Sequence, residues 1–407
     1  MLPRSGMEQY MKKKLAELNI KLDSLTIFRQ LLSDPVIGGF QNLIFYMGEK
    51  DVQAQVDAYC EFTSALYQKT PNLSAYINYL IYNDENFYVK EKAAGKNVSY
   101  VVEAALEAEL ATLQMLADMT SLSIKEAIDY KGFLPDWENA YIDLKADYKE
   151  RIEKLPQTGY GMYSKFTTFH LVDGRIAPVH YPDPQSLDQL FGYERERGLI
   201  MKNTEALVNG EGASNMLLYG DAGTGKSSTI KAVCNHFADQ GLRLLEIKKN
   251  ELYQIPYVVE ELSANPLKFV IFIDDLSFTA NDDNFSALKA ILEGSVTTCG
   301  KNIAIFATSN RRHLVKETMG ERSGDELHIN DTLQETMSLA ARFGLTITFQ
   351  RPEKDAYLDI VKNLAAEYGI EMEEDELFRK AEAHAIRRSG RSPRVAKQFI
   401  ELLKVGI

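Results

Sequence analysis

The sequence is poor in several things that settle questions early. Its three cysteines, Cys60, Cys234 and Cys299, lie far apart with no CxxC pair, and its six histidines are scattered without metal-ligand spacing. No zinc framework is therefore expected, and a reducing cytoplasm suits the chain. No apolar run reaches the roughly 18 residues that a membrane span needs. The opening MLPRSGMEQYMKKKLAEL has basic residues with no apolar stretch after them, so neither an export signal nor a membrane partner is expected. An excess of positive charge is missing too. Lys and Arg number 46 against 58 Asp and Glu, a formal net charge of -12. That balance argues against a surface that grips nucleic acid mainly by counterion release, although a local basic patch could still do so.

What is present is an ordinary globular composition, 45% hydrophobic and 26% charged over 407 residues, enough for two or three domains with sizeable cores. Residues 1–155 read as helices with polar breaks. Within VVEAALEAELATLQMLADM, Leu106, Leu110, Leu113 and Leu116 form an i, i+3, i+4 stripe that predicts one apolar helix face. The tyrosines of SAYINYLIYNDENFYV either pack helices together or offer a partner surface. Residues 156–184, with PQTGYG, KFTTFHLVDGRIAPV and HYPDP, suggest a linker with a short hairpin. Strands and helices then alternate through 185–350. Apolar strands are expected at 215–219, 242–247, 269–273, 303–308 and 345–349, and helices at 228–237, from 257, at 285–292 and at 333–341. The alternation predicts an α/β fold with a five-stranded parallel sheet. Residues 351–407 read as a small helical appendage whose last helix starts in SGRSP.

GDAGTGKS, the run Gly220, Asp221, Ala222, Gly223, Thr224, Gly225, Lys226, Ser227, matches G-x-x-x-x-G-K-[ST] between an apolar strand and a helix opened by Ser228. Glycines let successive backbone N–H groups curl around a phosphate chain, and the helix N-terminus adds partial positive charge. Lys226 would reach the β- and γ-phosphates of ATP, and Ser227 would ligate Mg²⁺. Downstream, FVIFIDDLSF at 269–278 runs five apolar residues into two acids. Asp274 is the expected Mg²⁺ partner and Asp275 the expected base or water-positioning group; the bland role for Asp275 is to cap the next turn. The inserted strand 242–247 is expected to keep the phosphate loop and the acidic strand from being neighbours. Asn310, ending IAIFATSN, either orients water or satisfies a tight turn. Arg342, before Phe343 and Gly344, either neutralises a helix C-terminus or reaches the nucleotide site of an adjacent subunit.

With these residues in place, the sequence resembles the AAA+ ATPases. It also resembles the bacterial ATP-binding family catalogued as domain of unknown function 815, through GLRLLEI, FIDDLSF, LKAILEG, ATSNRRHL and SLAARFGL. The resemblance runs from about Ser186 to the C-terminus. It implies an AAA+ core with a helical lid, ATP lodged between them, and assembly into a ring or filament. By the same resemblance, 191–193 fall at adenine, Asn310 is the first sensor, Arg342 the arginine finger, and Arg394 the second sensor. An acid usually precedes the finger in that family, whereas here Ala341 does, so Arg311 and Arg312 are alternatives for the intersubunit charge. The Asp-Asp pair is similar to that of replication initiators and helicase loaders. Asp275 is one methylene shorter than a glutamate, and withdrawing a carboxylate by ~1.3 Å predicts slow turnover.

Three functions compete on this reading. The first is a slow ATPase whose nucleotide state remodels, loads or regulates a protein partner chosen by residues 1–155. The second is a nucleic-acid-associated ATPase using Arg311, Arg312 and His313, or Arg387 and Arg388, against phosphate. The third is a threading unfoldase, for which KKNELYQIPYV offers Tyr253 and Tyr257 without the expected glycine.

Overall fold

The computed structural model describes residues 4–276, 288–289, 291–292, 301–310, 341–388 and 390–406. The chain forms two compact units, Met1–Gly161 and Met162–Ile407.

The first unit is helical. Its helices Pro35–Met47, Val52–Tyr67, Leu73–Asn83 and Leu144–Glu153 each start where the side chain of Asp34, Asp51, Asn72 or Asp143 accepts from a first-turn N–H, satisfying donors that helix geometry leaves open. The leucine stripe lies on helix Tyr100–Ala117, and Leu106, Leu110, Leu113 and Leu116 all enter one core with Phe62 and Trp137. Glu109 on that helix is buried as well. Its carboxylate accepts from the N–H groups of Thr26, Ile27 and Phe28 and from the Thr26 hydroxyl, so its burial is matched by donors. The tyrosine-rich stretch divides: Tyr76 and Tyr88 are buried, while Tyr79 and Tyr82 are exposed.

The second unit is built on a mixed seven-stranded sheet. Its strands are β1 (Thr168–Val172), β2 (Arg175–Pro178), β3 (Met216–Gly220), β4 (Leu242–Glu246), β5 (Lys268–Ile273), β6 (Ile303–Ser309) and β7 (Leu345–Phe349). They lie in the order β2-β1-β4-β5-β6-β3-β7. Only β1 and β2 are antiparallel; every other pairing is parallel. The sheet thus has two strands more than the sequence led us to expect. The extra pair is the hairpin inside 156–184, turned at Asp173 and Gly174 with φ of 50° and 78°, the left-handed pair that a tight hairpin requires. β1 then docks along β4 through Phe169 opposite Leu245.

Each face of the sheet has its own core, because side chains alternate along a strand. Phe269, Ile271 and Ile273 of β5 enter the core beneath helix Ile255–Ser263. Val270 and Phe272 enter the opposite core with helices Glu194–Val208 and Lys226–His236. Phosphate-loop strand β3 and acidic strand β5 are separated as expected, but the strand between them is β6. The strand 242–246 lies on the far side of β5. After β7 the chain forms three helices, Lys354–Glu367, Glu374–Arg387 and Pro393–Lys404, packed on a core of their own around Tyr357, Val361, Ala381 and Ile400.

Candidate functional site

The parallel register brings chemistry to one end of the sheet. Tyr219 pairs with Ser309, Gly220 with Phe349, and Ile273 with Ala307, so the phosphate loop, Asn310 and the two acids leave the sheet at one level. That crevice beyond the strand C-termini is where α/β sheets bind ligands.

The loop's glycines are there for steric reasons. Gly220, Gly223 and Gly225 have φ of 138°, 79° and 90°, a region that L side chains rarely enter. At Gly220 a Cβ would collide with the Phe349 carbonyl oxygen. Gly225 leads directly into helix Lys226–His236 with no side-chain cap, so the first-turn N–H groups and the positive end of the dipole face the crevice. Within the loop, the Thr224 hydroxyl donates to the Asp221 carbonyl at 2.9 Å.

Lys226 is buried and folded back. Its ammonium donates to the carbonyls of Gly220 at 3.1 Å and Asp221 at 2.7 Å, and to Asn310 Oδ1 at 3.0 Å. Burial pulls its pKa below the ordinary lysine range, and Arg394 adds to the lowering against the carboxylates of Asp221, Asp274 and Asp275. A desolvated cation held by neutral oxygens is preorganised for an anion.

Two side-chain relays cross the strand ends. In the first, Lys226 donates to Asn310 Oδ1, and Asn310 Nδ2 donates to Asp275 Oδ1 at 2.8 Å. Lysine only donates and an ionised carboxylate only accepts, so the amide orientation is fixed. In the second, Asp274 Oδ1 accepts from Ser227 Oγ at 2.6 Å and from Thr308 Oγ1 at 2.5 Å. The Thr308 hydroxyl in turn accepts from the Asp275 N–H at 2.9 Å. Asp275 sits at φ 51°, a left-handed conformation that a short polar side chain tolerates best and that recurs where a site constrains the backbone.

Magnesium fits this donor set. Ser227 Oγ and Asp274 Oδ1 are hard oxygens 2.6 Å apart. No group of three or more His, Cys, Asp or Glu among the described residues makes an all-protein metal cage. Mg²⁺ characteristically takes one or two protein oxygens and completes its shell with phosphate and water.

Above the loop lies a cavity of about 210 Å³, lined among others by Phe191, Tyr193, Gly223, Ser228, Ile360 and Arg394. It therefore joins the loop, the 191–193 segment and the C-terminal helices. Tyr193, at φ 60°, packs its ring 5.0 Å from that of Phe349 and donates its hydroxyl to the Gln350 carbonyl at 2.6 Å. The Arg394 N–H donates to the Gly223 carbonyl at 3.2 Å, tying the last helix to the phosphate loop.

Lys226, Ser227, Asp274, Asp275, Asn310 and Arg394 are thus gathered. Arg342 is not with them. It precedes β7, whose first residue Leu345 pairs with Met216 at the start of β3. It is therefore about one strand length, ~16 Å, from the loop end of the sheet. Arg311, Arg312 and His313, and most of the expected helices 285–292 and 333–341, lie outside the described residues. Tyr253 and Tyr257 are exposed.

Sequence reasoning missed Thr308 as the link between the two acids, although it sits two residues before Asn310. It also missed Arg351, whose N–H donates to Asp221 Oδ2 at 3.1 Å and whose Nε lies 3.6 Å from Oδ1. Nothing in local spacing marks that arginine.

Comparison with known proteins places the chain. No curated protein matches it. Among solved structures, the Thermotoga maritima RuvB Holliday junction branch migration motor is 17% identical, covering 55% of this chain and 67% of that one, with a TM-score of 0.37. Variants of that RuvB match similarly, one at a TM-score of 0.35 and another at 16% identity and 68% of its length. At such TM-scores the likeness carries no argument about this fold. Residues 164–406 match the family described as "Protein of unknown function (DUF815)"; the chain belongs to that family, as its sequence blocks led us to expect.

Proposed function

We infer that the second unit binds ATP with Mg²⁺ in the crevice between the phosphate loop and the C-terminal helices, and hydrolyses it slowly. The observation that carries this reading is the pair of relays, Lys226–Asn310–Asp275 and Ser227–Asp274–Thr308, converging on one glycine loop. The loop amides and Lys226 would hold the phosphates, with the Lys226 ammonium leaving its internal carbonyl partners for the terminal phosphate. Ser227 and Asp274 would hold the metal, which when bound neutralises phosphate charge. Asp275 and Asn310 would position water: the carboxylate takes its proton and the amide fixes its direction. The 191–193 segment would cover the base, and Arg394 would report the terminal phosphate to the helical lid.

Slow turnover follows from the short Asp275 side chain, whose carboxylate is drawn back toward Asn310. A long-lived ATP state suits a switch that loads or remodels a protein partner better than a motor. Arg342, which precedes the far end of β7, would serve a neighbouring subunit's site rather than its own, and ATP-dependent self-assembly would bring it there. The test is steady-state phosphate release with ATP and Mg²⁺ by wild type, Lys226→Ala and Asp275→Asn. Slow release by the wild type and none by either variant is the expected result; equal rates in all three would remove the reading.

A further inference from the structure

The C-terminal bundle carries a second concavity that shares no residue with the nucleotide cavity. It has a volume of about 1010 Å³ and lies between helices Glu374–Arg387 and Pro393–Lys404. Its rim is cationic: Arg379, Lys380, Arg387 and Arg388 line it, with no acidic residue among the described lining residues; Lys380 is paired with Glu376 at 2.7 Å, which leaves the three arginines as the main positive charge. Its floor is apolar, formed by Phe399, Leu402 and Leu403. Two large apolar side chains next in sequence to the lining residues Arg387 and Gly406 stand in solvent, Ile386 at 79% exposure and Val405 at 68%.

Two further observations point to a ligand. His384 lines the groove, and its Nε2 is buried with no hydrogen-bond partner among the described residues, a state that buried polar atoms rarely keep. Its pKa is lowered by burial and then by the neighbouring charges of Arg388 and Arg387. In a chain of net charge -12, so local a cationic patch is a specific feature of the lid.

We propose that this groove docks an acidic polypeptide segment carrying apolar side chains, its carboxylates meeting the arginine rim and its apolar groups covering Ile386, Val405 and the Leu402–Leu403 floor. Nucleic acid is the weaker match. Phosphate pairing would use the arginines, but it would leave the exposed Ile386 and Val405 without an apolar partner. Carboxylates accept the paired N–H groups of arginine in a planar fork, and an amphipathic segment in a groove buries both kinds of surface at once.

The experiment is fluorescence anisotropy with the full chain and three labelled probes: a synthetic peptide of glutamates and leucines at helical spacing, the same peptide with glutamine for glutamate, and a DNA duplex. Variants Arg387→Glu/Arg388→Glu and Ile386→Ser are compared, and ATP affinity is measured on the same samples. The acidic peptide should bind, with the glutamine peptide weaker by about tenfold or more. The double charge reversal should lose a similar factor, and Ile386→Ser should lose several-fold. ATP affinity should stay unchanged in both variants, which separates failure here from misfolding and from failure of the nucleotide reading. Tighter binding of duplex than of peptide, peptide affinity indifferent to the variants, no peptide binding, or loss of self-association as the variants' only effect would each overturn the proposal.

Discussion

Replacing Asp275 by asparagine separates structure from chemistry at the centre of the site. The backbone there is at φ 51°, which asparagine accepts as readily as aspartate. The side-chain oxygen accepts from Asn310 Nδ2 at 2.8 Å, a bond that an asparagine carbonyl keeps. Only the negative charge and the proton affinity are removed. Folding stability should therefore stay within about 0.5 kcal/mol of wild type. Asp275→Ala, by contrast, forces a Cβ without a polar tip into the left-handed region at ~1–2 kcal/mol and breaks the relay. Turnover should behave differently from stability. Loss of a positioned base lowers rates by ~10²–10⁴-fold, or ~3–5 kcal/mol of barrier, in both variants, while ATP affinity is retained. Urea denaturation, phosphate release at saturating ATP and a binding isotherm measure the three quantities. If Asp275→Asn turns over ATP within a few-fold of wild type, Asp275 is a backbone device and not a base.

Other outcomes follow from the same geometry. Gly223→Ala introduces a Cβ 3.2 Å from Arg394 Cβ and Ser392 Oγ at φ 79°; it should lower ATP affinity at least tenfold, read by calorimetry, because loop and last helix must part. Thr308→Val keeps the volume of a buried side chain but removes its bonds to Asp274 and the Asp275 N–H; a destabilisation of about 1–3 kcal/mol and weaker Mg²⁺ dependence of ATP binding are expected. His384 has a folded pKa below its ordinary 6.5, so the unfolded chain binds more protons between the two values. Stability should rise with pH from the folded value up to about 6.5 and fall on acidification through that window, and His384→Gln should flatten the slope in denaturation curves taken across it.

Several elements could be read from local pattern alone. β5 carries five apolar residues that run straight into two acids, and the phosphate loop is specified by its own glycines, so both needed only neighbours in sequence. The hairpin turn was legible from Asp173-Gly174, but its place in the sheet was not, because β1 finds its partner β4 some seventy residues on. Helix Glu194–Val208 escaped notice because its charged sequence buries only Ile200, Thr204 and Leu207, too few for a stripe. In the site, Ser227 and Asp274 were picked out by motif spacing, while spacing left Asn310 two possible roles and only the family resemblance chose between them. Thr308 and Arg351 did not, since each acts on a residue from another strand or loop: Thr308 becomes visible only once β6 lies beside β5, and Arg351 only once β7 lies beside β3. The distance of Arg342 from the loop likewise depends on strand direction, which the sequence implied without locating.

The most direct test of the nucleotide site is isothermal titration of ATP into the full chain with and without Mg²⁺, beside the Lys226→Ala variant. The account predicts saturable, Mg²⁺-strengthened binding by the wild type and none by the variant. A folded wild-type chain that gives no binding heat at any temperature tried, or a variant that binds as tightly as wild type, would contradict it.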